Sequence, residues 1–440
     1  MEQKAQKIHF VGIGGIGMSA LAQYFRREGA LVTGSDRDPS PKVHDMLVTQ
    51  GIIVTVGHSS DNVPADTTFV VYSDAVTEGS EGFVERLRAR ELGIKEKSYF
   101  ETLGDVSRGK RTIAVAGTHG KTTTTGMLAK ILKDAGESPT AIVGSIVKDF
   151  GSNYLSGTSD FFVVEACEYK DHLLELSPLV LVITNLEWDH TDWFPSLEAL
   201  QETFRKAIHR VPADGAIVTD ISNPNIASLL TGAKARVVDY TKESSYALQV
   251  PGEFNQQNAR AAAAAARVVH PVLPDDIIHT ALASFQGTWR RFEYKGKTIR
   301  GADVYDDYAH HPTAVRETLH ALRAKIKGKL IVAFHPHLYS RTKDLLDEFA
   351  TAFANADKVL VAPIYPAREV DDGSISSEIL AERIRATGTV AIALDFEDIQ
   401  KALDNVEEGD TIMTMGAGDI YKIADALVAW QNETASGKTV

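Results

Sequence analysis

Short, almost unbroken apolar runs alternate along this chain with stretches whose apolar residues recur every three or four positions. Residues 7–11 read as a buried strand. After a glycine-rich turn, Met18, Leu21, Ala22 and Phe25 recur at helical spacing until Gly29 closes the helix. Residues 30–33, 52–56 and 68–72 continue as strands, and this strand–helix–strand order predicts a parallel sheet with crossover helices. A charged, turn-prone stretch at 104–111 precedes a second series: a strand at 113–116, a helix with the stripe Met127, Leu128, Ile131, Leu132 and Ala135 ending at Gly136, and interior strands at 161–164 and 179–183. The alanine run 261–266 predicts a strong helix. From Arg291 a third series places strands at 329–334, 358–364, 390–394 and 411–415. No fixed-period repeat interrupts the pattern. It predicts an α/β protein of three domains, each around a mostly parallel sheet, at residues 1–106, 107–290 and 291–440.

Composition narrows the function classes. With 44% hydrophobic and 24% charged residues, the 440-residue chain has the make-up of a soluble globular enzyme. A net charge of −13 argues against a nucleic-acid partner, which would demand excess Lys and Arg. Small anions remain eligible, because a few amides and one cation can hold a phosphate on an acidic protein. No apolar run approaches the roughly 18 residues needed to cross a bilayer, and the N-terminus enters a strand without a signal-peptide stretch. The single cysteine, Cys167, has no intramolecular disulfide partner, so a cytoplasmic setting is expected.

Four strings carry candidate chemistry. Gly117-Thr118-His119-Gly120-Lys121-Thr122, with Thr123 following, lies between a predicted strand and helix. There, backbone amides and the helix N-terminus can face phosphate oxygens, Lys121 supplies a cation, and Thr122 can reach Mg²⁺. It is a shortened phosphate loop, since the first glycine of the general pattern falls on Val115. A second loop, Gly12-Ile13-Gly14-Gly15-Ile16-Gly17, matches G-x-G-x-x-G and is followed by Asp36, an arrangement that taken alone points to a dinucleotide. Glu165 directly follows one predicted strand, and Asn185, Asp189, His190 and Asp192 follow another, so both groups can converge on phosphates and suit Mg²⁺ or Mn²⁺. The third series contributes Asp306-Asp307-Tyr308-Ala309-His310-His311-Pro312, then His335-Pro336-His337 and Arg341. Neither histidine spacing is a zinc pattern, and polar groups facing a second substrate are the better reading.

Taken together these strings resemble the Mur ligases, ATP-dependent amide-forming enzymes of peptidoglycan precursor synthesis. The resemblance runs through residues 9–21, 117–124, 185–192, 251–259, 290–292, 306–312, 364–369 and 415–420. It implies a Rossmann-like first domain for a UDP-sugar, a central P-loop ATPase domain and a Rossmann-like third domain for an amino acid. Gly12, Gly14, Gly15, Ile16, Gly17, Asp36 and His119 would then serve the UDP-sugar. Gly117, Thr118, His119, Gly120, Lys121, Thr122, Thr123, Asn255, Asn258, Arg290, Arg291 and Asp307 would serve ATP. Thr122, Glu165 and His190 would hold two Mg²⁺ ions, with Mn²⁺ as an alternative, and His311, His335 and Arg341 would face the amino acid. Lys121, Glu165, His190, Arg341 and His335 are the catalytic candidates, with His335 or His337 as a base. The strings are most similar to the branch that joins L-alanine to UDP-N-acetylmuramate through an acyl phosphate. The alternative is a recycling branch that joins a murein tripeptide to the same sugar nucleotide. A monomer or homodimer, with no nucleic-acid or membrane partner, is expected. Two departures stand out: Leu338 where that branch usually has arginine, and Cys167 where it usually has aspartate.

Overall fold

The computed structural model describes residues 5–435, with side chains described as far as Val428. The outermost parts of the first and third predicted intervals, 1–4 and 436–440, lie outside the described residues. Three α/β sheets follow one another along the chain. The first contains β1 (Lys7–Val11), β2 (Leu31–Asp36), β3 (Ile53–Val56), β4 (Phe69–Tyr72) and β5 (Lys95–Ser98), in the spatial order β3-β2-β1-β4-β5 and parallel throughout. β5 is absent from the sequence pattern for a physical reason: its residues, Lys-Glu-Lys-Ser, form a polar edge strand without an apolar run.

The second sheet comprises β6 (Arg111–Ala116), β7 (Thr140–Val147), β8 (Ser152–Leu155), β9 (Phe161–Glu165), β10 (Val180–Ile183), β11 (Ala216–Thr219) and β12 (Arg236–Asp239), ordered β12-β11-β10-β6-β9-β7-β8. Only the edge strand β8 runs antiparallel. β9 and β10 are buried on both faces up to their last residues, as interior parallel strands require. The third sheet comprises β13 (Glu293–Lys297), β14 (Asp303–Asp307), β15 (Leu330–Phe334), β16 (Lys358–Val361), β17 (Val390–Ala393) and β18 (Thr411–Met415), ordered β13-β14-β18-β15-β16-β17, with β13 antiparallel. β16 ends at Val361 because Pro363 cannot donate to a ladder, which shortens the strand expected over 358–364. Alternate residues of β15 feed two cores: Leu330, Val332 and Phe334 join one face, Ile331 and Ala333 the other.

The first two sheets fall in one unit of the chain and the third in another, with boundaries near residues 186–200, 247–257 and 286. Within the first unit the helix Ile16–Arg27 docks on the β7–β8 hairpin through buried polar side chains. Asn153 donates to the carbonyl of Ile16 at 2.6 Å and to Ser19 Oγ at 2.9 Å, and Gln23 donates to Asn153 Oδ1 at 2.8 Å. Beneath the first sheet, fully buried Glu85 accepts from Ser35 Oγ (2.6 Å) and Asn62 Nδ2 (3.0 Å) and pairs with His9 Nε2 (2.9 Å) and His58 Nδ1 (3.0 Å). Burial alone would raise this carboxyl; the hydrogen bonds from His9, Ser35 and Asn62 reverse that and bring it down to about 2. Among the described residues, no helix is long and apolar enough to cross a membrane.

Candidate active site

β10, β6 and β9 are neighbours, so the loop after β6, the acid ending β9 and the turn after β10 emerge side by side at the carboxyl edge of the second sheet. The loop enters the helix Lys121–Asp134 through Gly120, in the left-handed region at φ 80°. A side chain there would be strained, and its Cβ would sit 2.1 Å from Asn258 Oδ1. Asn258 also accepts from Thr124 Oγ1 at 3.3 Å, which fixes it against the loop. The turn after β10 braces the loop from the other side. Asn185 Oδ1 accepts from the His119 amide at 2.9 Å, and Thr184 Oγ1 and Asn185 Nδ2 donate to the His119 carbonyl at 2.6 and 3.1 Å.

Lys121 Nζ donates to the carbonyls of Gly117 (2.5 Å) and Thr118 (3.3 Å) and pairs with Glu168 Oε1 at 2.9 Å. Burial alone would lower the lysine's pKa; the charge of Glu168 more than compensates and raises it, so the ammonium keeps its proton. Glu168 was not singled out in the sequence, although a second acid three residues beyond the strand-ending Glu165 was a legible signal. Thr122 Oγ1 donates to Glu165 Oε1 at 3.0 Å, and the Gly144 amide on β7 donates to Glu165 Oε2 at 2.7 Å. A hydroxyl and a carboxylate side by side at a helix N-terminus form a hard oxygen donor set that fits Mg²⁺. Of the three expected metal ligands, Thr122 and Glu165 are thus adjacent. His190 belongs to the other unit, where it takes φ 53° and its amide donates to Asp189 Oδ1 at 2.7 Å.

The second unit has its own cluster at the carboxyl ends of β14, β18, β15 and β16. Arg290 (φ 57°, buried) donates through Nε to Asp306 at 2.9 Å and through Nη1 and Nη2 to the carbonyls of Gly418 and Gly416 at 3.0 and 2.7 Å. Its guanidinium therefore braces the strand ends, and the guanidiniums of Arg290 and Arg291 lie 5.2 and 4.8 Å from the centre of the Tyr308 ring. Asp307 accepts from the amides of Phe292 and Ala309, each at 2.6 Å; burial pushes its carboxyl up to about 6 despite Arg291 and these bonds. Asn255 lies on the helix Glu253–Val269 with its amide capping Pro251 O at 2.7 Å.

Arg341 is buried and donates through Nε to Asp189 Oδ1 at 2.8 Å, while its Nη1 lies 3.2 Å from His337 Nδ1. Burial would raise the Asp189 carboxyl, but Arg341 holds it well below its usual range. His337 stacks on Tyr365, and burial together with Arg341 pushes it down to about 3. His335, 3% exposed, meets Tyr365 and Phe396 edge-on; burial lowers it to about 4, and its Nδ1 has no hydrogen-bond partner among the described residues. His311 caps the helix Pro312–Arg323 and lies 3.2 Å from the Trp188 carbonyl.

Three family models cover the chain in succession: the Mur ligase family catalytic domain over residues 7–111, the Mur ligase middle domain over 115–248, and the Mur ligase glutamate ligase domain over 290–418. The chain is 37% identical to a UDP-N-acetylmuramate–L-alanine ligase of Clostridium kluyveri, over 96% of this chain and 98% of that one. The chain belongs to the Mur ligase family. A second relative bearing the same enzyme name, from Lachnospira eligens, is 38% identical over 96% of this chain and 97% of its own length. Among solved structures, the UDP-N-acetylmuramate–alanine ligase of Thermotoga maritima superposes with a TM-score of 0.79 at 29% identity, covering 97% of this chain and 99% of that one. A murein peptide ligase of Psychrobacter arcticus, at 24% identity and a TM-score of 0.74 over 99% and 100% of the two chains, shares the fold.

In this Mur ligase the first loop, between β1 and the helix Ile16–Arg27, is held by its own acid. The Gly14 amide donates to Asp36 Oδ2 at 2.9 Å, so Asp36 secures the turn as well as closing β2. Gly12, Gly15, Ile16 and Gly17 complete that turn, with the helix entered at Gly15 and no side chain capping it, which leaves its first amides available to a diphosphate.

Proposed function

We propose that this Mur ligase joins L-alanine to UDP-N-acetylmuramate at the expense of ATP. The observation that carries the reading is the paired arrangement at the second sheet, Lys121 on Glu168 beside Thr122 on Glu165, in a chain whose full-length relatives carry the alanine ligase name. A carboxylate resists attack by an amine because its charge repels the nucleophile and oxide is a poor leaving group. The γ-phosphoryl group of ATP therefore passes first to an oxygen of the sugar's lactyl carboxylate, giving ADP and an acyl phosphate. The alanine nitrogen, having given up one ammonium proton to solvent, then attacks the acyl carbon with its lone pair. The tetrahedral intermediate collapses by expelling inorganic phosphate, which carries away the former carboxylate oxygen, and the nitrogen loses one proton.

The chain's residues mainly position and screen. Lys121 and the amides of residues 117–122 meet the triphosphate, and the Lys121 charge balances what spreads over the transferring phosphoryl group. Thr122 and Glu165 would hold one Mg²⁺ and His190 a second; a divalent cation bound there neutralises phosphate charge. Thr123, Asn255, Asn258, Arg291 and Asp307 are assigned to the nucleotide, and Gly12 to Gly17 to the UDP diphosphate. For the amino acid we assign His311, His335 and the Arg341 neighbourhood. With its basicity lowered to about 4, His335 is a poor proton store near neutrality. ATP and nucleotide sugars are cytoplasmic metabolites, so the reaction is assigned to the cytoplasm.

The test is direct. Purified protein is incubated with UDP-N-acetylmuramate, ATP and Mg²⁺, with single amino acids or a murein tripeptide as acceptor, and the products are identified by mass. Alanine-dependent ADP release with the alanyl product supports the proposal; product with tripeptide alone transfers the chain to the recycling reaction.

A further inference from the structure

We infer that Tyr99 is a sugar-nucleotide-binding residue, its phenol hydroxyl donating to an anionic oxygen of the UDP-sugar beside the first glycine loop. The inference deepens the proposed function and rests on it for the identity of the ligand. Tyr99 begins the helix Tyr99–Ser107 directly after β5. Its ring lies against the first loop so closely that a Cβ on Gly17 would stand 2.7 Å from Tyr99 Cζ and 2.8 Å from its oxygen. A phenol keeps its proton at physiological pH, so Tyr99 can serve as a donor there. Tyr99 therefore borders the loop assigned to the diphosphate.

The hydroxyl makes no hydrogen bond to another described residue, and the side chain keeps partial solvent access. A solvent-accessible phenol that no protein group engages leaves its donor open to a ligand. The surroundings hold it in place. Ser98 and Glu101 form a capping box that fixes the start of the helix. The neighbouring Phe100 stacks on His172 at 3.6 Å between centroids, and His172 Nε2 lies 2.7 Å from Asp74 on the segment after β4. The donor is thus held rigidly at the junction of the first two sheets. Two anionic groups of UDP-N-acetylmuramate could accept from it, the diphosphate and the lactyl carboxylate.

Tyr99→Phe removes the hydroxyl and keeps the ring against Gly17 and Phe100. Calorimetric titration of the full chain with UDP, UDP-N-acetylglucosamine and UDP-N-acetylmuramate separates the two acceptors. A hydrogen bond to a charged oxygen corresponds to a loss of about tenfold or more in affinity. Loss with all three ligands places the contact at the diphosphate; loss with UDP-N-acetylmuramate alone places it at the lactyl carboxylate. In either case the KM for ATP should stay within about twofold of the parent enzyme. Unchanged affinity for all three ligands overturns the inference. If Tyr99→Phe does not fold, 3-fluorotyrosine at position 99 provides a stronger donor of nearly the same shape; tighter sugar-nucleotide binding supports the contact and unchanged binding removes it. Parent enzyme that binds UDP yet ligates no amino acid would defeat the proposed reaction while leaving the Tyr99 measurement interpretable.

Discussion

Lys121 Nζ rests 2.9 Å from Glu168 Oε1, so the cation assigned to the triphosphate is held on one of the protein's own carboxylates. Truncation at Lys121 removes charge from the transferring phosphoryl group and leaves Glu168 buried without its cation. Lys121→Ala should lower kcat by about 10²–10³-fold, the usual effect of losing one transition-state electrostatic contact. Steady-state ADP release checks this, and a rate near that of the parent enzyme would take the loop out of the chemistry.

Gly144 offers a more selective probe. Its amide orients Glu165, and an alanine Cβ would fall 2.3 Å from Glu165 Oε2. Gly144→Ala should therefore displace the carboxylate and raise the Mg²⁺ concentration for half-maximal activity by about tenfold, the lower range for disturbing a group that orients a metal ligand. Affinity for UDP, measured by calorimetry, should not change.

The buried pair Asp189–Arg341 contributes to stability with a defined pH dependence. Because the folded-state pKa of Asp189 is depressed, its contribution is present above the unfolded value near 4 and is lost as pH falls toward the folded pKa. Arg341→Met should cost about 3–5 kcal/mol at pH 7, the range for stranding one member of a buried pair. Denaturant titration from pH 7 to pH 3 should show this difference shrinking from above pH 4, where the stranded, burial-raised Asp189 of the variant takes up its proton, and further below about 4 as the parent loses the pair.

His335 acts in a different window. Its folded pKa lies at about 4, below the unfolded histidine value near 6.5, so the unfolded chain takes up a proton first and stability falls as pH drops from about 6.5 to 4. His335→Gln should remove one proton's worth of slope from that part of the profile, the remainder belonging to His337 and His310, and leave the segment below pH 4 intact. The same denaturant series at half-unit pH intervals measures it.

How much of this was legible depended on whether the signal was local. The phosphate loop, Glu165 at the end of an apolar run and the histidines after β14 and β15 are written in contiguous strings, and their strand–turn–helix context places them at sheet edges. The partners are not contiguous. Glu168 on Lys121, Gly144 on Glu165 and Arg341 on Asp189 join residues 47, 21 and 152 positions apart, which only strand order brings together. Strands such as β5, β12 and β13 carry charged residues and little alternation, so periodicity passes over them. The resemblance implies a nucleotide role for Arg290 or Arg291, and the structure adds what no string shows: the carbonyls of Gly416 and Gly418 and the carboxylate of Asp306 accept the Arg290 bonds.

Oxygen-18 transfer tests the central claim most directly. UDP-N-acetylmuramate labelled in both oxygens of its lactyl carboxylate is turned over with ATP and L-alanine, and the released inorganic phosphate is analysed by mass. The acyl-phosphate route requires one labelled oxygen in each phosphate released. Phosphate without label, formed alongside the alanyl product, would contradict the account.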